Sequence, residues 1–243
     1  MNKNNIEIIN EDINFMSMSV NDFEVLDKTF YSLQNNLLDL DLKKQTLILN
    51  IDVFPNDTNI EKNEEIANKY FGNVIINIEK ECNCSKAFIW CLNNIKSKYF
   101  FIIEANKCIK KNFKMRYLID ELLKAQTSKK IASIHLSPSS KNLVLEYAST
   151  HIALWDYSYM EKILKNLSPY INYEYQLREL MLLFKWKSIT IAETVEEYLN
   201  HIGAEWKKEK KYVLANSSHD YEIYKILKND NWHKNIYNEF KCR

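Results

Sequence analysis

Four short apolar runs in the first half of this 243-residue chain are separated by segments in which apolar residues recur every three or four positions. The runs are rich in β-branched and aromatic residues, which is typical of buried strands. They cover residues 13–20, 46–54, 73–79 and 99–104. Because parallel strands need long crossover connections, which are usually helices, this alternation predicts an α/β fold with a mainly parallel sheet flanked by helices.

The second half of the chain continues this pattern less regularly. The aromatic segment 143–158 fits either a strand pair or one bent strand. No repeat or low-complexity linker divides the chain, so we expect a single domain over residues 1–205. We expect a C-terminal helical extension over residues 206–243 that packs on this domain.

The composition argues against several classes of function. The net charge is +1 at pH 7, which gives no overall field to recruit nucleic acid. No apolar run approaches the roughly 18 residues of a transmembrane segment, and the polar N-terminal segment lacks the pattern of a signal peptide. The five cysteines are an odd number, which favours free thiols and a cytoplasmic localisation over a disulfide framework.

Glycine occurs only at positions 72 and 203. Phosphate-cradling loops and the dinucleotide-binding fingerprint need several glycines at short fixed offsets, so neither motif can be built here. A ligand that carries phosphate groups would have to be held in another way, for instance through a metal ion.

Polar side chains follow each predicted strand of the first half, at the point where the strand ends. The carboxyl ends of parallel strands meet at one edge of a sheet, and open α/β sheets bind their ligands there. We therefore expect a binding site at this edge. The residues that the pattern places there are Asn21, Asp22, Asp52, Glu79, Glu81, Glu104 and Asn106.

Five segments occur in an order that is typical of one known family. They are EVLDKTFYSLQNNL after the first strand, LILNIDVFP at the second, YFFIIEAN at the fourth, PYINYEYQL before a late helix, and YLNHIGAEWKK near residue 201. Over about residues 13–206, this order resembles the GT-A-fold glycosyltransferases, in particular the large inverting family-2-type nucleotide-sugar transferases. Glu104-Ala105-Asn106 stands where that family has its Asp-x-Asp motif, as a degenerate form of it.

The resemblance implies a nucleotide-sugar donor, most often a UDP-sugar in this family. The residues that would contact the donor are Asn21, Asp52, Glu104 and Asn106. A Mn²⁺ or Mg²⁺ ion would neutralise the diphosphate of such a donor, and Glu104, Asn106 and His201 would hold it.

The resemblance also divides the chain into a nucleotide-binding half, about residues 13–110, and an acceptor-binding half, about residues 111–205. Glu174 would be the catalytic base of a hexosyltransferase-like enzyme, taking a proton from the acceptor hydroxyl. Trp155 and Asp156 would bind the acceptor, a glycan or glycoconjugate, so that the enzyme would act in glycan biosynthesis.

Each of these residues also has an ordinary structural interpretation. Glu104 and Asn106 can terminate a strand, Glu174 favours a helix start whatever its function, and aromatic residues such as Trp155 are more often in a core. Two alternatives therefore stay open. One is a catalytically degenerate GT-A-fold protein that binds a nucleotide sugar or a partner transferase without turnover, and the other is an α/β binding module without a nucleotide. The aromatic C-terminal segment also offers a surface for a homodimer.

Overall fold

The computed structural model describes residues 12–20, 22–53, 59–80, 83–137, 152–192, 194 and 197–202. The predicted C-terminal extension over residues 206–243 lies outside these ranges, as do Asn21, Glu81 and most of the segment 143–158. The domain boundary near residue 205 and the homodimer therefore stay predictions.

The described residues form nine β-strands and six α-helices. The strands are β1 Ile13–Val20, β2 Thr46–Asp52, β3 Asn73–Glu79, β4 Tyr99–Glu104, β5 Lys107–Ile109, β6 Ile131–His135, β7 Ala153–Asp156, β8 Lys187–Thr190 and β9 Leu199–His201. The helices are α1 Phe23–Asn36, α2 Ile60–Tyr70, α3 Cys84–Asn94, α4 Met115–Gln126, α5 Tyr157–Leu164 and α6 Tyr173–Phe184. A short 3₁₀ helix, Leu42–Lys44, precedes β2.

Seven of these strands form one sheet in the order β3-β2-β1-β4-β7-β6-β8. β7 is antiparallel to both of its neighbours, and all other neighbouring pairs are parallel. The predicted α/β fold with a mainly parallel sheet is therefore confirmed. β5 and β9 pair with each other in a separate antiparallel ribbon. The chain moves from β1 outward through β2 to β3 and then returns to β4 on the other side of β1, so the order of the strands reverses between β1 and β4.

Helices cover both faces of the large sheet. Phe15 and Met16, which are consecutive in β1, belong to two different buried clusters. The cluster of Phe15 includes side chains of α1, α2 and α4, and the cluster of Met16 includes side chains of α3, α5 and α6. This burial on both faces explains why the strands are continuous apolar runs. It leaves the ends of the strands as the natural positions for polar side chains.

Gly72 joins α2 to β3 and lies against the backbone of the 3₁₀ helix. A Cβ atom at this position would lie 1.8 Å from the carbonyl oxygen of Lys43. Because a backbone carbonyl cannot move aside as a flexible side chain can, we expect Gly72→Ala to lower the free energy of unfolding by about 1–3 kcal/mol. Urea-induced unfolding measures the change, with Glu65→Ala at an exposed position of α2 as the control. Equal and small effects of the two substitutions would contradict the prediction.

Candidate functional site

The carboxyl edge of the parallel strands carries a connected set of polar side chains on β2 and β3. Asn77 Nδ2 donates to Asn50 Oδ1 over 2.7 Å, and Asn50 Nδ2 donates to Asp52 Oδ1 over 3.0 Å. Asp52 and Glu79 are register partners at the ends of their strands. Asp52 was predicted as a site residue from the sequence, whereas the two asparagines were not. Their signal in the sequence is the similar pair of segments NID at residues 50–52 and NIE at residues 77–79.

The environment of Asp52 disfavours the charged form of its carboxyl group, because Asp52 is only 6% exposed to solvent. Burial raises the pKa of its carboxyl group from 3.8 to about 6, the hydrogen bond from Asn50 opposes that rise, and the neighbouring charge of Glu79 adds to it. At neutral pH the group is therefore ionised at a cost, and it can accept a hydrogen bond from a ligand. Ribose hydroxyls and the N–H groups of a base are donors of that kind.

The end of β4 is held by hydrogen bonds from β1 and α1. Ser17 Oγ donates to the carbonyl of Ile103 over 2.9 Å, and Thr29 Oγ1 donates to the carbonyl of Ala105 over 2.8 Å. Ser32 Oγ accepts from the backbone N–H of Ile109 over 2.9 Å. These bonds fix both sides of the tight turn between β4 and β5. The predicted residue Glu104 lies immediately before this turn, and Asn106 lies within it.

The β4–β5 turn brings two of the predicted metal ligands together and gives the third another partner. Asn106 Nδ2 lies 3.4 Å from His201 Nε2, and the backbone N–H of Ile202 donates to the carbonyl of Asn106 over 2.9 Å. Glu104 Oε1, in contrast, accepts from Lys107 Nζ over 2.7 Å. The Lys107 side chain is 10% exposed and that of Glu104 23%, so this ion pair is largely withdrawn from water.

The donor set at this turn does not fit a divalent cation. It comprises one carboxylate that an ammonium group already neutralises, one neutral amide and one imidazole. Magnesium and manganese sites are built from hard, preferably anionic, oxygen ligands, and a nearby ammonium repels the ion. Within the ranges that the structure describes, no cluster of three or more His, Cys, Asp or Glu residues could hold a metal ion. The residues predicted to hold Mn²⁺ or Mg²⁺ therefore do not fit such an ion.

Glu174 lies in the first turn of α6, where its backbone N–H donates to the capping side chain of Asn172 over 2.9 Å. This turn packs on the first turn of α3: the backbone N–H of Tyr173 donates to Ser85 Oγ over 3.0 Å, and the ring of Tyr173 stacks on that of Phe88 at 4.4 Å between centroids. α3 begins soon after β3 reaches the carboxyl edge of the sheet. Glu174 is thus exposed on the same side of the molecule as the other candidate residues.

The acceptor residues predicted from the aromatic segment require a correction. Trp155 is fully buried, so its ring has no free face on which a sugar could stack. Asp156 caps α5 by accepting from the backbone N–H of Ser158, and its register partner is Tyr99, the first residue of β4. Because β7 is antiparallel, its last residue lies at the opposite edge of the sheet, roughly 16 Å of strand away from Glu104. That edge has its own cleft of about 400 Å³.

Asn21 falls outside the described residues and stays a prediction. Its neighbour Asp22 has a structural role, since Oδ1 of Asp22 accepts from the backbone N–H of Val25 at the start of α1. Lys107 is a further residue at this edge that the sequence pattern did not predict. Its spacing of three from Glu104 was visible, but only the tight turn between them makes that spacing a contact.

Comparisons with known proteins support the fold rather than a family. No protein-family model and no curated protein matches this chain. Residues 1–349 of S. aureus TarS in complex with UDP-GlcNAc align with a TM-score of 0.58 and 9% identity, over 87% of this chain and 64% of that chain. Another S. aureus TarS structure gives a TM-score of 0.54 and 8% identity, over 81% of this chain and 38% of that chain. The mannosyltransferase PcManGT from Pyrobaculum calidifontis, in complex with GDP-Man and Mn²⁺, aligns with a TM-score of 0.52 and 8% identity, over 76% of this chain and 56% of that chain.

This chain therefore has the GT-A-like fold of these glycosyltransferases. It spans less than two thirds of each of these structures, with 64% as the largest share. Among the described helices, none combines the length and the apolar character that crossing a membrane requires.

The raised pKa of Asp52 predicts a pH dependence of stability. Between about pH 4 and pH 6 the folded chain keeps a proton that the unfolded chain has released, so the free energy of unfolding falls as the pH rises through this window. The loss is about 1.4 kcal/mol for each unit of pKa difference. Asp52→Asn removes the titrating group and keeps an oxygen that can accept from Asn50.

We therefore expect Asp52→Asn to be more stable than the wild type at pH 7.5, with a smaller advantage at pH 4.5. Urea-induced unfolding at the two pH values measures both differences. Asp120→Asn, at an exposed position of α4, is the matched control. An advantage of Asp52→Asn that is the same at both pH values would show that the substitution acts through something other than this titration.

Proposed function

We propose that this chain is a glycosyltransferase that moves a sugar from a nucleotide-sugar donor to a hydroxyl group of a glycan or glycoconjugate. The observation that carries the proposal is the gathering of Asp52, Glu104, Asn106 and His201 at the carboxyl edge of the sheet, on both sides of the point where the strand order reverses. Open α/β sheets bind nucleotides at that point. The GT-A-like fold supports the same conclusion, because the TarS and PcManGT structures contain UDP-GlcNAc and GDP-Man.

In this proposal the β2 side of the site receives the nucleoside. The ionised carboxylate of Asp52 accepts a hydrogen bond from the ribose or the base, and the hydrogen bond from Asn50 holds it in place. Burial makes this carboxylate costly to ionise, so a ligand that donates to it relieves part of that cost. We propose uridine as the nucleoside of the donor, because the sequence resemblance implies a UDP-sugar.

Glu174 is proposed as the catalytic base of an inverting reaction. It is exposed in the first turn of α6, on the side of the molecule that carries the carboxyl edge of the sheet. Its carboxylate takes the proton of the acceptor hydroxyl while that oxygen bonds to the anomeric carbon. The bond from this carbon to the diphosphate breaks at the same time, and its electron pair leaves with the nucleoside diphosphate. General base catalysis of this kind contributes roughly 10²–10⁴ in rate.

The binding step is tested by thermal unfolding of the purified chain with UDP, GDP, CDP and dTDP. A ligand that binds only the native state raises its stability, by about 2.7 kcal/mol at a hundredfold excess over the Kd. We expect one nucleoside diphosphate to raise the melting temperature selectively, and Asp52→Ala to weaken its binding. The absence of a shift with all four nucleotides would overturn the proposal and favour a binding module of another kind.

The catalytic step is tested by measuring sugar transfer and donor hydrolysis with the corresponding nucleotide sugar. We expect Glu174→Gln to lower kcat by at least about a hundredfold with little change in donor affinity, because the amide cannot accept the proton. Glu161→Gln, at an exposed position of α5, is the control and should retain the wild-type rate. Donor binding without transfer or hydrolysis by the wild type would instead favour the catalytically degenerate alternative.

A further inference from the structure

Lys107 is the first residue of β5, and its ammonium group lies at the carboxyl edge of the large sheet. Nζ is 2.7 Å from Oε1 of Glu104, the last residue of β4. The side chain is only 10% exposed, although lysine is a residue type that is seldom buried. A cation withdrawn from water in this way needs a compensating interaction, and Glu104 supplies one.

This ammonium group lies at the edge of the sheet at which open α/β sheets generally bind their ligands. The strand order reverses between β1 and β4, and Glu104 ends β4 beside that point of reversal. Lys107 is held there by two features that do not depend on Glu104. Its backbone pairs with His201 in the β5–β9 ribbon, and the adjoining turn is fixed to α1 through the bond from Thr29 to Ala105.

We propose that Lys107 supplies the positive charge that binds the diphosphate of the donor and stabilises the departing nucleoside diphosphate, so that this chain acts without a bound divalent cation. This inference rests on the function proposed above. An ammonium group has three N–H donors, so it can keep its bond to Glu104 while it donates to a phosphate oxygen. Glu104 then orients Lys107 instead of ligating a metal ion.

The chemistry of the transfer requires a positive charge at this place. When the bond between the anomeric carbon and the diphosphate oxygen breaks, the electron pair stays on that oxygen and the negative charge of the leaving group rises. A preorganised cation next to the oxygen favours this change. The acceptor proton goes to Glu174, so the step is balanced without any further reactant. Asn106 and His201 lie at the same turn and can add hydrogen bonds to the phosphates.

The test compares the affinities of the chain for UDP and for uridine, each in Mn²⁺ and in EDTA, by calorimetry or ligand-observed NMR. If the screen selects another base, its diphosphate and its nucleoside take their place. The variants are Lys107→Met, Lys107→Arg and Lys110→Met. The last removes an exposed lysine close to β5 and is the matched control.

We expect the wild type and Lys110→Met to bind UDP equally well in Mn²⁺ and in EDTA. Lys107→Met should lower the affinity for UDP at least tenfold and leave the affinity for uridine within about twofold, because only the charged part of the ligand loses its partner. Lys107→Arg should recover most of the lost affinity.

Lys107→Met leaves the carboxylate of Glu104 without its ammonium partner, and this could disturb folding. The double variant Glu104→Gln with Lys107→Met removes both charges and keeps the two side chains of similar size. It should show the same loss of affinity for UDP with uridine binding retained.

UDP binding that requires Mn²⁺ and is unchanged in Lys107→Met would overturn the inference and leave the proposed function intact. Equal losses for UDP and uridine would also overturn it, since they would indicate a structural role for the lysine. Failure of the wild type to bind any nucleoside diphosphate would overturn the proposed function itself, and the inference with it.

Discussion

The candidate site is positioned by the pairing of β1 with β2 on one side and with β4 on the other. Both pairs are parallel, so the carboxyl ends of β2 and β4 reach the same edge. They do not end level, because Asp52 pairs with Val20, whereas Glu104 pairs with Met18. The two-residue difference corresponds to a step of roughly 6–7 Å along the strand direction. β4 therefore ends before β2 does, and the turn into β5 begins there.

Buried polar side chains on β1 hold this arrangement at both ends of the strand. At its start, Asn14 Oδ1 accepts from the backbone N–H groups of Lys96 and Ser97, over 2.7 and 3.2 Å. This contact fixes the entry into β4 after α3. Near the other end, Ser17 Oγ donates to the carbonyl of Ile103. A buried polar group without a partner is costly, so these bonds favour one register of β1 against β4 over its alternatives.

The sheet could be predicted from the sequence because its main strands are runs of apolar β-branched and aromatic residues. The predicted ranges 73–79 and 99–104 are also the observed bounds of β3 and β4, since apolar runs end abruptly at Glu79 and Glu104. The β5–β9 ribbon gave no such signal, because its strands are three residues long and contain polar residues. Strand direction is also invisible in composition. The antiparallel course of β7 is the reason that Asp156 lies at the edge opposite to the one at which the candidate site gathers.

The carboxyl edge is electrically asymmetric along the sheet. On the β2 and β3 side, Asp52 and Glu79 present carboxylates, and burial and mutual repulsion oppose the ionisation of Asp52. On the β4 side, the negative charge of Glu104 is cancelled by Lys107. The two sides are about 10 Å apart, since β1 lies between β2 and β4. In the proposed binding mode, a ligand donates hydrogen bonds to Asp52 at one end and offers phosphate oxygens to the ammonium group of Lys107 at the other. A nucleoside diphosphate has its base N–H and ribose hydroxyl groups at one end and its phosphates at the other, so the proposed binding mode has the nucleoside over β2 and the diphosphate beside β4.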